Sequence, residues 1–168
     1  MRTKVYIDTN VFVYAILHHP EYGEKCSKIL RDIKQYYYEP HGSLMVAIEL
    51  LGSLSRISPS LARKAVNLYL SIEQLVMHSI SEDVVQLASL INDVVNIGYD
   101  SIHAAIMILN DIPLIISNDV DGWLKLINNY KKVRKYIEEK TYIKTPRSIE
   151  LITPNDYSQW IMRLFSKC

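Results

Sequence analysis

Lys4-Val5-Tyr6-Ile7-Asp8-Thr9-Asn10 is the stretch on which the fold turns. A short β-prone run stops at a polar triplet, and a carboxylate stands directly after the last apolar residue. The same transition recurs at Pro113-Leu114-Ile115-Ile116-Ser117-Asn118-Asp119. Brief runs without polar alternation fit strands buried on both faces, as in a parallel sheet covered by helices.

Outward from these runs the pattern alternates. Helical spacing is read at about residues 10–17, 21–37, 44–56 and 59–73, with Ser43 as a cap for the third and Pro59 in the first turn of the fourth. Tyr38-Glu39-Pro40-His41-Gly42 reads as a break. Leu75 to Ile80 is expected as a strand, and Ser81 caps a helix to about Ile97 that Gly98 ends. Asp100 opens a helix to about Asn110. Trp123, Leu126, Ile127, Tyr130, Val133 and Ile137 mark the apolar underside of another. Ser148 to Ile152 reads as a last strand and Pro154 to Phe165 as a terminal helix. Alternating strands and helices imply an α/β protein with a central parallel sheet of four to five strands. In such sheets ligands bind at the C-terminal strand edge, where Asp8 and Asp119 fall.

The 168 residues are 49% hydrophobic and 22% charged, which fits one domain and excludes a disordered chain. The net charge of +1 excludes a strongly basic nucleic-acid coat protein. Its distribution is uneven: residues 1–124 hold nine Lys and Arg against fourteen Asp and Glu, whereas residues 125–147 hold eight against two. An acidic body with a basic segment suits a protein that holds cations in one place and meets polyanions with another. The alternative is that Lys131, Lys132, Arg134 and Lys135 form the solvated face of a helix. Cys26 and Cys168 allow no disulfide framework or four-cysteine zinc site and read as reduced thiols. The apolar run Val11 to Leu17 is too short to span a membrane. Asp8 and Asn10 interrupt any leader, so a cytoplasmic location is expected.

Four carboxylates stand where a solvent-facing charge is not expected: Asp8, Glu49 within Leu44-Met45-Val46-Ala47-Ile48-Glu49-Leu50-Leu51, Asp100, and Asp119 with Asp121 nearby. Taken singly, Asp8 and Asp119 suit turns and Asp100 suits a helix cap. Glu49 has no such alternative, because a carboxylate among apolar neighbours needs a partner. If they converge with no Lys or Arg among them, protons or cations must relieve their repulsion. Oxygen ligands without Cys or a His cluster select hard cations, Mg²⁺ or Mn²⁺.

Ile7-Asp8-Thr9-Asn10-Val11, Val46-Ala47-Ile48-Glu49-Leu50-Leu51, Tyr99-Asp100-Ser101-Ile102-His103-Ala104-Ala105 and Ile115-Ile116-Ser117-Asn118-Asp119-Val120-Asp121 together resemble the PIN-domain ribonucleases. The similarity is greatest to VapC-type toxins of toxin–antitoxin pairs. It implies a three-layer α/β/α fold, with Asp8, Glu49, Asp100 and Asp119 as a catalytic, metal-binding quartet and Asp121 supporting the metal. Thr9, Asn10 and Ser117 take supporting places, Asn10 orienting Asp8 and Ser117 binding water or phosphate. The implied reaction is endonucleolytic cleavage of RNA by a metal-activated water, leaving a 5′-phosphate and a 3′-hydroxyl. A small antitoxin and a homodimer are implied as partners.

Gly122-Trp123 replaces the aromatic common after the last acidic pair. The chain also exceeds a compact toxin through a basic helical extension at 128–147 within a single domain spanning 1–168. Lys131, Lys132, Arg134 and Lys135 are the candidate RNA contacts there. A stand-alone PIN nuclease of RNA processing and a non-catalytic PIN-fold binding module are the alternatives. A haloacid-dehalogenase phosphatase would need a second Asp at position 10, where Asn10 stands. His103, on the same helical face as Asp100, fits packing or a hydrogen bond to a carboxylate better than metal ligation. Tyr36-Tyr37-Tyr38 fits either base stacking or a helix end covering the core.

Overall fold

A computed structural model describes residues 2–166. The elements run β1 (Lys4–Ile7), α1 (Thr9–Ile16), α2 (Gly23–Ile33), β2 (Glu39–Ser43), α3 (Leu44–Ser55), α4 (Pro59–Leu70), β3 (Val76–His78), α5 (Glu82–Val94), α6 (Asp100–Leu109), β4 (Leu114–Ile116), α7 (Val120–Lys140), β5 (Glu150–Ile152) and α8 (Tyr157–Ser166). The five strands form one parallel sheet in the order β3-β2-β1-β4-β5. Right-handed crossovers place α1 to α4 on one face and α5 to α7 on the other, giving three layers. The main helix–helix contacts fall within those two groups. Val5, Tyr6, Ile7, Ile115 and Ile116 are wholly buried, as strands covered on both faces require. Among the described residues no helix is long and apolar enough to cross a membrane.

The stretch expected to break the chain, Tyr38 to Gly42, is instead mostly β2, an interior strand of the sheet. Pro40 is tolerated there for a geometric reason. The Glu39 N–H donates to Thr3 O on the β1 side, so the next nitrogen faces the β3 side. Pairing with β3 begins only at His41, so Pro40 lacks no ladder bond. Gly42 is required by close approach, since a Cβ there would collide with the Tyr69 hydroxyl and Leu75. Ser43 does precede α3, but its side chain does not cap the helix; its hydroxyl meets Tyr6 OH at 2.5 Å. Asp100 is the first residue inside α6, with Tyr99 in the cap position.

The neighbours of β1 in the sheet are β2 on one side and β4 on the other, so the connection reverses direction at β1. The crevice outside the C-terminal ends of β1 and β4 is therefore the ligand position of the fold. The Asp8 N–H donates to Ile116 O at 3.0 Å, locking the two strand ends together there.

Candidate metal centre

Each acid reaches that crevice by its own element. Asp8 ends β1 and caps α1, accepting from Thr9 N at 2.7 Å. Glu49 projects from the middle of α3, Asp100 from the first turn of α6, and Asp119 from the cap of α7 after β4. All four line a single cleft of about 840 Å³, together with Thr9, Asn10 and one cation, Arg56.

Asp8 is the most firmly held. Its Oδ2 accepts from Ser117 Oγ (2.6 Å), Asn10 Nδ2 (2.9 Å) and the Trp123 indole N–H (3.3 Å). Asn10 also bonds Ser117 Oγ (2.9 Å) and accepts from Asn118 N, stapling the two strand ends. The supporting places expected of Asn10 and Ser117 thus coincide with direct contacts to Asp8. Thr9 Oγ1 donates to Glu49 Oε2, which also receives His103 Nε2 at 3.0 Å. His103 is wholly buried, and its Nδ1 meets Tyr6 OH at 2.8 Å. With both ring nitrogens bonded, His103 positions Glu49. One atom each from Asp8, Glu49 and His103 still falls within 4.8 Å of the other two, so the ring sits against the acids.

Asp100 differs from the rest: among the described residues its carboxylate has no hydrogen-bond donor. A Cβ placed on Gly122 would lie 2.7 Å from Asp119 Oδ2 and 3.1 Å from Asp100 Oδ2, so both oxygens crowd one methyl-sized space. Burial, with the charges of Asp8, Asp119 and Glu49, raises the Asp100 pKa from an ordinary 3.8 to about 6, although His103 opposes the rise. At Glu49 burial works against ionisation. The His103 and Thr9 hydrogen bonds outweigh it and hold that carboxyl below its usual range. His103 shows the converse: burial disfavours the charged ring, yet Glu49, Asp8 and Asp100 raise its pKa above the ordinary value.

The donor set fits a hard divalent cation. Among the described residues Asp100 is uncommitted, Glu49 Oε1 and Asp119 Oδ2 carry no protein hydrogen bond, and the ligand atoms left available are carboxylate oxygens. The PIN domain family model matches residues 5–143. The chain belongs to the PIN domain family.

Solved structures that share this fold include two from toxin–antitoxin complexes. One is a chain of the crystal structure of VapBC2 from Rickettsia felis bound to a DNA fragment from their promoter. It has 17% identity and a TM-score of 0.55, covering 90% of this chain and 98% of that one. The other belongs to a toxin–antitoxin complex from Klebsiella pneumoniae, with 13% identity and a TM-score of 0.50, covering 70% and 93%. No curated protein matches this PIN domain in sequence.

Asp121 is exposed in the first turn of α7 and is not among the residues lining the cleft. The basic residues are farther away. At 1.5 Å rise per residue, Lys131 to Lys135 lie about 18–24 Å along α7 from Asp119. Arg134 pairs with Glu138 (2.9 Å) and Lys135 with Glu139 (3.6 Å), while Lys131 and Lys132 are exposed and make no ion pair among the described residues. The basic extension is helical only to Lys140; residues 141–149 return irregularly to β5. The tyrosine run lies at the opposite sheet edge from the acids, before β2. Tyr38 is buried against Tyr157 and Trp160 and serves the core, whereas Tyr36 and Tyr37 are exposed, Tyr37 edge-on to Phe165.

Trp123, Tyr6 and Gly122 are the contributors that sequence reasoning missed. Trp123 was legible only as an apolar helix position, although a buried indole N–H needs an acceptor. Tyr6 looked like any strand residue, and Gly122 like a departure from the family pattern.

Proposed function

We propose that this PIN domain is a metal-dependent endoribonuclease, the toxin of a toxin–antitoxin pair, acting in the cytoplasm as a homodimer and restrained by a small antitoxin. The observation that carries the reading is the convergence of Asp8, Glu49, Asp100 and Asp119 on one cleft, with Asp100 unrelieved by any donor among the described residues. Family membership and the fold shared with chains of toxin–antitoxin complexes support it.

The four carboxylates hold Mg²⁺ or Mn²⁺, with Asp121 adding long-range negative charge. The ion, when bound, lowers the pKa of a coordinated water and polarises a phosphodiester. The protein supplies the rest. Ser117, Asn10 and Trp123 fix Asp8, while Thr9 and His103 fix Glu49. Lys131 and Lys132, with Arg134 and Lys135 when released from their glutamates, hold a distant stretch of RNA backbone without reading its sequence.

The test is cleavage of a structured RNA by purified wild type in Mn²⁺, Mg²⁺ and chelator, with Asp100→Asn alongside. Metal-dependent cutting that disappears in the variant is expected. Cutting that survives in the variant contradicts the reading and points to a contaminating nuclease; no cutting by wild type freed of antitoxin contradicts it and favours a non-catalytic binding module.

A further inference from the structure

The cleft has one cation. Arg56, at the C-terminal end of α3, is exposed and forms no ion pair among the described residues, despite four carboxylates lining the same space. It shares a helical face with Glu49: positions 49, 52, 53 and 56 follow the spacing that stacks side chains along one side. Between the two lie only Gly52 and Ser53, and a Cβ at Gly52 would meet nothing within 4 Å. Two turns, about 10 Å, separate Arg56 from Glu49 along the axis. The result is a shallow furrow of small residues leading from the acids to an uncommitted guanidinium.

Across the cleft stands Tyr99, the residue before Asp100. It is 75% exposed, and its ring has no aromatic or hydrogen-bond partner among the described residues. A lone exposed tyrosine is ordinary. Here Tyr99, with Ile102, lines both the acid cleft and an adjoining groove of about 570 Å³ that Ser89, Asn92 and Asn96 also line. A flat aromatic face beside a reacting phosphate, opposite a free guanidinium, suits a nucleotide whose base is unpaired. A duplex would keep its bases inside the stack, away from the ring.

Resting on the nuclease reading above, we propose that Arg56 holds the phosphate next to the scissile one in an RNA strand lying along α3, and that Tyr99 stacks on the adjacent base. The acids act on one phosphate, Arg56 holds its neighbour, and Tyr99 receives the adjacent base. Both are binding and specificity residues, distinct from the residues that hold the metal.

The experiment uses a single-stranded oligoribonucleotide carrying 2-aminopurine. Cleavage kinetics are measured in Mn²⁺ and binding by anisotropy in Ca²⁺, for wild type, R56Q, Y99A and Y99F. Y99A is expected to raise KM by about 5- to 150-fold, the range for losing one aromatic stack, with kcat little changed. Y99F, which keeps the ring, restores wild-type KM and the quenching of 2-aminopurine that accompanies stacking. R56Q is expected to weaken binding and to flatten the slope of log affinity against log salt by about 0.7, one phosphate contact on a single strand. If wild type cleaves and Asp100→Asn does not, while R56Q and Y99A keep wild-type KM and quenching, the proposal is overturned and the nuclease reading stands. Loss of binding in Y99F as large as in Y99A also overturns the stacking role. If wild type neither binds nor cleaves the single strand, both fall together.

Discussion

Asp100→Asn should make the metal-free protein more stable while disabling it. The carboxyl has no donor among the described residues, and burial with three neighbouring carboxylates moves its pKa from 3.8 to about 6. Because the folded state holds this proton more tightly than the unfolded chain, the contribution of Asp100 to stability is most favourable at low pH and falls as pH rises through that interval. At 1.36 kcal/mol per pKa unit the cost of ionisation is bounded at about 3 kcal/mol. Partial exposure of the group to water reduces this to about 1–2 kcal/mol. Asparagine removes the charge and keeps the shape, so at about pH 7.5 in chelator the variant should gain that amount, roughly 3–6 °C in Tm for a chain of this size. The assay is thermal unfolding followed by circular dichroism, in chelator, at about pH 7.5 and about pH 4.5. The gain should shrink at the lower pH, where wild-type Asp100 is largely protonated. Added Mn²⁺ should reverse the order, stabilising wild type by about 2.7 kcal/mol at a hundredfold excess over Kd and the variant far less. A variant less stable than wild type in chelator at neutral pH, or a gain that does not depend on pH, would refute the electrostatic account of Asp100.

Other substitutions separate stability from site geometry. Gly122→Ala should leave stability unchanged or raised by up to about 1 kcal/mol through helix propensity. Its methyl group nonetheless displaces the Asp119 and Asp100 carboxylates, so Mn²⁺ affinity in calorimetry should fall about tenfold or more. Trp123→Phe removes the indole donor to Asp8. Metal affinity should weaken by a few-fold to about tenfold while near-ultraviolet circular dichroism reports a core otherwise intact. His103→Ala removes one hydrogen bond each from the part-buried Glu49, which keeps Thr9, and the buried Tyr6, which keeps Ser43, and should cost about 2–4 kcal/mol in urea unfolding. Because the folded-state pKa of His103 is raised, the part of this loss due to its charge is fully present below the unfolded pKa. It should fade as pH climbs through the folded value, and a loss that grows with pH would contradict the assignment.

Much of the site was legible because the signals were local. Asp8 and Asp119 each followed an apolar strand directly, and parallel strands bring such C-terminal ends together. Glu49 stood out as a charge inside an apolar helix, where only a partner makes it tolerable. What escaped the sequence depended on pairing between distant segments. Pro40 and Gly42 signal a break in any local reading; only the register, with pairing to β3 starting at His41 and Tyr69 pressed against Gly42, makes this segment an interior strand. The roles of Trp123 and Tyr6 arise from where α7 and β1 place an N–H and an O–H, which apolar periodicity does not encode. The basic cluster was legible as charge, but its distance from the acids follows from the length of α7. The free guanidinium of Arg56 was invisible until α3 was set beside the cleft.

The most direct test of the central account, that these acids converge to hold a divalent cation, is calorimetric titration of the metal-free protein with Mn²⁺. Wild type, Asp8→Asn, Asp100→Asn and Asp121→Asn are compared at one neutral pH. Saturable binding by wild type is predicted, with Asp8→Asn and Asp100→Asn losing most of the affinity and Asp121→Asn far less, in keeping with its exposed place on α7. No binding by wild type, or equal binding by Asp100→Asn, would contradict the account.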